Sequence, residues 1–515
     1  MNTSSGFGTI DWIVLIGYFF ILAISAKLFN KKQSNTEDYF LGGRSMPAWT
    51  VSLSVLATSL SAATFIGGPQ KAYLSDLRYL SSSIGAILGV FLIALLFIPT
   101  YYKAGVSTVY EYIGIRYGKL GLRSTSLAFL IGRTFASGAR IYIAALPGSM
   151  IIFGDIAPMH LTVSVIILGV VGILYTLSGG ITSVIYSDCL QIVVFLTAAL
   201  VACYVLLDRI PINLNEIWTL LDNENKLTWL NIGISSESPG IDFGDNYTLI
   251  TSLTGFVLFN MAAYGTDQDL TQRMLTCKNS WSGSKSAIQA ILLGLPVTFI
   301  FMGLGLLLYI FYQKPELMGL ATPNEVDDSR KVFLHFILNE MPKGLAGLMM
   351  AGLFAAGLSS LNSALNAMAS SIINDHYRHI FKSKNETHYL KAGRITVCLV
   401  GVVLCVVAIL CIQLQKNEGG MALVDFALYV MVFAYSGLLG VFLCARFSKR
   451  GNGVSAVLAL IGGFLCIIFL QPNFQFWVSE GSSPLKLAFP WQMVLSTTVA
   501  FIVCFIPKTP KNIES

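Results

Sequence analysis

Charge is what this chain of 515 residues has little of. Asp, Glu, Lys and Arg make up 12% of it, against about a quarter of an ordinary soluble domain. With 55% hydrophobic residues and a mean hydropathy of +0.69, a soluble globular class is excluded. Residues 1–8 carry no Lys or Arg, whereas Lys27, Lys31 and Lys32 follow the first apolar run. A secretory signal has the opposite order, so that run is expected to stay in place as a span. No Cys-x-x-Cys pair occurs among the nine cysteines, which argues against a zinc site or a disulfide framework. They read instead as small apolar packing residues. A glycine-rich phosphate loop is also missing, which argues against a nucleotide-driven pump.

What the chain has in quantity is long apolar runs. A bilayer core of ~30 Å requires about 20 apolar residues per helix. Thirteen runs meet this approximately, at 9–28, 47–68, 81–102, 124–152, 160–178, 184–207, 248–266, 286–312, 344–373, 393–414, 422–445, 452–471 and 488–507. The expected class is an all-α, multi-pass membrane protein. With the N-terminus outside, thirteen spans leave the C-terminus in the cytoplasm. The Lys and Arg of the inner segments then outnumber those of the outer ones by about two to one, as the positive-inside rule requires. The net charge of +6 thus reflects sidedness in a plasma (inner) membrane and gives no reason to expect nucleic acid. The lipid bilayer is the expected surrounding, and no obligate protein partner is indicated.

Setting aside the first span and the last two leaves ten, split five and five. Each half opens with an unusual helix: LSVLATSLSAATFIGG (Leu53 to Gly68) in the first, and 248–266 ending in NMAAYGTDQ in the second. Interrupted helices at matching positions of two halves point to an inverted-repeat transporter, because an odd number of spans per repeat inverts one half relative to the other. The organisation expected is a peripheral span and inner loop (1–46), a first repeat (47–207), an outer loop (208–247), a second repeat (248–445), and two peripheral spans with a tail (446–515). The outer loop reads as a short surface helix or a lid. Val332 to Leu338 reads as an amphipathic helix. The histidines of 374–392 lack acidic or Cys partners at ligand spacing and read as part of a solvated basic loop.

Several polar residues lie where lipid would not tolerate them. The Ser, Thr, Ala and Gly of the opening stretch suit either a broken helix lining a cavity or close helix packing. In FAAGLSSLNSALNAMASS, Ser359, Ser360, Ser363 and Asn366 include i, i+3 and i+4 pairs and share a face. Their oxygens suit an alkali cation, and equally interhelical hydrogen bonds. Asp188 reads as a functional acid at the start of the fifth core helix, or as an N-cap. Arg133 and Arg140, seven residues apart, share a face with Ser137 between them. Each needs an anionic ligand or a structural partner such as Asp188 or a carbonyl. Asp267, Asp269 and Arg273 read as an inner gate or loop network.

Taken together, EDYFLGGRSMPAW, ATSLSAATFIGG, YTLSGGITSVIYSDCLQ, GTDQDLTQRMLT and LSSLNSALNAMASSIINDHY resemble, in order, the sodium:solute symporter family. The resemblance covers Glu37 to about Tyr377. It implies a five-plus-five inverted-repeat fold with broken first and sixth core helices, alternating access, and sodium as coupling ion. The implied sodium site falls on the carbonyls of Ala57, Leu60 and Ala356 and the hydroxyls of Ser359 and Ser360. Asp188 matches the family's acid near that site, which in sialic acid carriers helps hold a second sodium. The two hydroxyl positions that complete the second site are Asn362 and Ser363 here, so Asp188 and Ser363 are its possible ligands. Ser83 stands where sugar carriers have a substrate-binding Glu, and Ala263 and Leu292 stand where they have the aromatic gate and a Lys. The IGR of the third core helix resembles the sialic acid carriers, which implies that Arg133 grips a carboxylate, with Ser59, Ser61, Thr64 and Ser83 lining the pocket.

The reading reached is a secondary transporter and not an enzyme, moving sialic acid or a related sugar acid with sodium. The alternatives are symport of a neutral sugar, polyol or amino acid and, in other classes, a solute sensor or an ion channel.

Overall fold

The computed structural model describes residues 6–28, 35–234, 240–319, 326, 328–382, 384–417, 421–471 and 487–507. Lys31, Lys32 and the tail beyond 507 lie outside them. Every regular element among the described residues is helical. Eight helices are long and apolar enough to cross a bilayer, and two bent pairs qualify as broken spans. The first bent pair is Ala48–Ser59 with Ala63–Leu74, turning by 61°, and the second is Leu249–Gly265 with Gln268–Leu275, turning by 57°. They are the first and sixth of the ten core spans, the positions expected to be interrupted. Between them come Arg78–Ala104, Val109–Phe153, Pro158–Leu177 and Gly180–Arg209; after them, Ser280–Gln313, Leu345–Ile380, Glu386–Gln415 and Leu423–Phe447. The shorter apolar helices Thr9–Ser25, Gly453–Phe469 and Phe489–Phe505 fall where the peripheral spans were expected.

Two boundaries differ from the sequence reading. The third core helix begins at Val109 and is broken by Gly118 at φ 76°, ψ −175°. The fifth begins at Gly180, at φ 58°, ψ −171°, so Asp188 lies two turns inside it and is not an N-cap. Both breaks use backbone conformations that only glycine adopts cheaply, and apolar content alone gives no sign of them.

The third and eighth spans form the centre, with 83% of their best membrane window buried, against 39% for the fourth. The ninth shows the lipid-facing pattern, since Ile395, Leu399, Val402, Val406 and Leu410 are exposed while Val397, Leu404, Ala408 and Cys411 are sealed. Where helices touch closely, glycine makes the contact. A Cβ on Gly85 would lie 2.2 Å from the Ser252 carbonyl oxygen, and one on Gly305 would lie 2.3 Å from that of Pro69. Lipid gives helices no hydrophobic reason to associate, so such close approach carries much of the packing.

Of the segments expected outside, the 208–247 loop contains a surface helix, Leu214–Asn223, started by an Asn213–Glu216 capping box. Leu214 and Trp218 stay exposed. The helix expected at 332–338 forms as Val332–Asn339, but it is not one-sided: Val332, Phe333, Leu334, Phe336 and Ile337 are all buried. Phe333 stacks on Phe65 of the first core span. An apolar segment this short cannot span a bilayer, so it gains its burial against the core helices.

Gly85→Ala should therefore lower stability by about 1–3 kcal/mol through overpacking, seen as an earlier melting transition in detergent. Gly303→Ala, with nothing within 4 Å of its Cβ position, should melt with the parent protein. Equal melting of the two variants would reject this packing of the second span on the sixth.

Candidate functional site

The first core span leaves helical geometry at Leu60, at φ −79°, ψ 119°. It resumes at Ala63–Gly67 as a single wide turn. The break frees the carbonyls of the preceding turn, which no longer have a helical N–H four residues on. Ala57 and Leu60 of this turn, with Ala356 and Ser359 of the eighth span, border a cavity of ≈ 10 Å³, at the lower limit for a single water-sized guest. Ser359 Oγ donates to Asp188 Oδ1 at 2.6 Å, which leaves its lone pairs for another partner. Ser360 Oγ is buried and has no hydrogen-bond partner among the described residues. Freed carbonyls, an available hydroxyl oxygen and an unpartnered one are the hard oxygen donors an alkali cation needs. Four of the five residues expected to hold the first sodium thus border one small space, and Ser360 follows Ser359 on the same helix without lining it.

Asp188 is 1% exposed. Its Oδ2 accepts from Ser54 Oγ at 2.5 Å and from Arg273 Nη2 at 3.2 Å. The same Nη2 donates to Ser363 Oγ, which in turn donates to the Ser359 carbonyl at 2.5 Å. Ser54 was not singled out in the sequence. Its place one turn before Ala57 and Thr58 on the same polar face is the signal that could have marked it.

The sixth span, after its bend, puts Asp267, Asp269 and Arg273 on a short helix, Gln268–Leu275, whose residues are all buried. The expected inner network is therefore helical, and it is sealed. Arg133 reaches it from the third span, donating from Nη1 to Asp267 Oδ2 at 2.9 Å and from Nη2 to Asp269 Oδ2. Tyr435 of the tenth span donates to the same Asp267 oxygen at 2.8 Å. Asp269 Oδ1 faces Arg273 Nη1 at 3.4 Å. The structural partner of Arg133 is thus the acid pair of the sixth span, where the sequence had pointed to Asp188 or a carbonyl.

Arg140 differs from Arg133. Its side chain is half-buried, and its recorded bond is from Nη2 to Met431 Sδ at 3.3 Å. No carboxylate oxygen lies within ion-pair distance of it among the described residues. Tyr264 neighbours both Arg140 and Ser59. Of the expected pocket residues, Ser59, Thr64 and Ser83 keep partial exposure while Ser61 is buried. Ser59 Oγ donates to the Leu56 carbonyl at 2.9 Å and Ser61 Oγ accepts from Ala63 N at 3.2 Å. No hydrogen bond joins these four hydroxyls to one another or to Arg133.

With this geometry established, three comparisons bear on it. The family model for the sodium:solute symporter family matches residues 39–463. The sodium/sialic acid symporter NanT of Aliivibrio fischeri is 26% identical over 99% of this chain and 96% of its own length. The sodium/sialic acid symporter SiaT of Proteus mirabilis is 27% identical over 94% of each. A solved structure of a sodium-coupled sialic acid symporter, in a substrate-bound outward-open state, superposes with a TM-score of 0.81 at 25% identity. The match covers 98% of this chain and 99% of that one.

Removing one partner of a buried ion pair strands the other, at a typical cost of about 3–5 kcal/mol. Arg133→Ala, which takes from Asp267 its ion-pair partner and leaves Asp269 with Arg273, should destabilise by that order in a thermal melt. Arg140→Ala strands no carboxylate and should melt close to the parent protein. Similar losses in both variants would reject the division of labour between the two arginines.

Proposed function

The chain belongs to the sodium:solute symporter family, and from that membership we propose that it imports a sugar acid, sialic acid first among them, together with sodium. It is a multi-pass membrane protein of secondary active transport, with sodium as the coupling ion. Sodium sits, in this reading, between the carbonyls of Ala57, Leu60 and Ala356 and the hydroxyls of Ser359 and Ser360. Binding there draws the broken first span onto the eighth and stabilises the outward-open state that receives solute. The N-terminus outside and the C-terminus inside follow from the charge bias, in a cell membrane. The two five-helix repeats form the moving core, flanked by the peripheral spans.

The observation that carries the anionic substrate is Arg140, a guanidinium within the third span with no carboxylate at ion-pair distance among the described residues. An unpaired charge there is costly, and a substrate carboxylate can accept two parallel hydrogen bonds from it. Ser59 and Thr64, half-buried on the broken span, and Ser83 on the second span offer hydroxyls for a sugar's polar groups, with Ser61 beside them. The sequence had given the carboxylate to Arg133. Arg133 is committed to Asp267 and Asp269, so we assign the grip to Arg140, one helical face and two turns further along. Arg133 then serves as the post that holds the lower half of the sixth span.

Proteoliposomes with an inward sodium gradient should accumulate labelled N-acetylneuraminate, and a potassium gradient should give none. Absence of sodium-driven uptake by folded protein would remove sialic acid from this reading, with neutral sugars and polyols tested next. Arg140→Ala should raise the KM for N-acetylneuraminate at least tenfold, the worth of ~1.4 kcal/mol or more, because a charged hydrogen bond is lost. An unchanged KM would return the anion site to Arg133. Ser360→Ala should raise the sodium concentration needed for half-maximal uptake, and an unaltered sodium curve would remove that hydroxyl from the site.

A further inference from the structure

The face that the charge bias assigns to the cytoplasm holds a cavity of ≈ 820 Å³, lined by none of the sodium or substrate residues. Its walls come from the segment after the first helix, the start of the third span, the connection between the sixth and seventh, and the end of the eighth. Five side chains that can carry positive charge line it: Arg44, Lys119, Lys278, Arg378 and His379. Two of them are engaged locally. Arg44 Nε lies 3.4 Å from Glu37 Oε1, and its Nη2 donates to the Val106 carbonyl at 2.7 Å. Arg378 Nη2 lies 2.9 Å from Glu386 Oε1. Lys119 and Lys278 are exposed and have no hydrogen bond or ion pair among the described residues.

Among the described residues no carboxylate is left to meet those two lysines. Glu37 and Glu386 are taken by the arginines, and Glu111, the other acid of the lining, accepts from the Ser107 N–H at 2.8 Å. Asp375, buried behind the wall, accepts from the Thr108, Ser126 and Ser371 hydroxyls. Further cations stand close by, since Arg123 and Lys382, together with Lys119, lie within electrostatic reach of His379. Lysines and arginines thus outnumber acids at this recess. Low-dielectric walls concentrate such a field, and like charges held together there repel until an anion joins them.

We propose that this cavity binds a phosphate group, brought by the headgroup of an anionic phospholipid, at Lys119 and Lys278. A lysine ammonium is a flexible point charge with three donors, suited to phosphate oxygens approached from different directions. The two stand on different walls, Lys119 on the third span and Lys278 after the sixth. The volume lies in the range that holds small ligands. Apolar side chains point to lipid as the source. Ile115 and Leu120 near Lys119, and Ile380 and Phe381 after His379, are all exposed. Exposed apolar groups among exposed cations suit the depth at which headgroups meet acyl chains, and a soluble phosphate ester has no use for them. A headgroup held there joins the third span to the sixth–seventh connection and adds its binding free energy to the stability of the fold.

Melting of the purified full chain in neutral detergent reads this site independently of transport. Dioctanoyl phosphatidylglycerol should raise the melting temperature saturably. Dioctanoyl phosphatidylcholine, with the same chains and no net charge, should not, and an equal rise with both lipids would overturn the anion site. Lys119→Gln/Lys278→Gln should melt with the parent protein in detergent alone, because neither lysine has a partner to lose. It should need at least about tenfold more phosphatidylglycerol for the same rise, since each lysine attracts an anionic headgroup separately. Lys285→Gln/Lys391→Gln removes the same charge from exposed positions that do not line the cavity and should respond like the parent. Equal weakening in the two double variants would reduce the effect to general surface charge and refute the site. Glycerol 3-phosphate tests the source. No rise with it supports the lipid, whereas a rise matching that of the lipid would keep the phosphate site and overturn its assignment to a headgroup.

Discussion

A carboxylate or guanidinium in the low-dielectric interior of a membrane protein has to find its opposite charge, and much of this structure follows from that need. Arg133, Asp267, Asp269, Arg273 and Asp188 form one chain of alternating charge, linked by ion pairs and sealed from solvent. The chain begins on the third span, crosses the lower half of the sixth, and ends on the fifth beside the first and eighth. It therefore fastens the second half of a broken helix to the third span, one of the two most enclosed, and to the fifth.

The broken first span supplies the other half of the arrangement. Its bend frees carbonyls beside Ser359 and Ser360, and Asp188 holds the hydroxyl of one of those serines. The cation site and the charge chain are thus joined at a single hydrogen bond, Ser359 to Asp188. Ser359 on one side and Arg273 on the other engage the same carboxylate.

Arg133 and Arg140 show where sequence and structure part. Seven residues apart on one helix, they carry the same charge at the same face, and nothing in the spacing separates an ion-paired post from an unpaired arginine. The difference lies in Asp267 and Asp269, which are more than 130 residues away and reach Arg133 only because the sixth span bends by 57°. The same holds for Asp188, where an apolar run starting at 184 suggested an N-cap. The glycine break at Gly180 carries the acid two turns into the helix and against Arg273. Val332–Asn339 is a third case: its helix was expected, but its burial on nearly every side depends on helices distant in sequence.

The sequence by itself determined the class, the interrupted first and sixth core helices, and the family. Hydropathy, charge bias and small polar residues are local properties, and the bilayer imposes helical geometry on whatever crosses it. Tertiary structure decided which charges meet. An ion pair acts over a few ångströms between residues that the chain separates by scores or hundreds. Its partners are set by helix breaks, crossing angles and depth in the membrane. Those decide that Arg133 is spent on two aspartates, that Arg140 meets no carboxylate among the described residues, and that Arg273 stands beside Asp188.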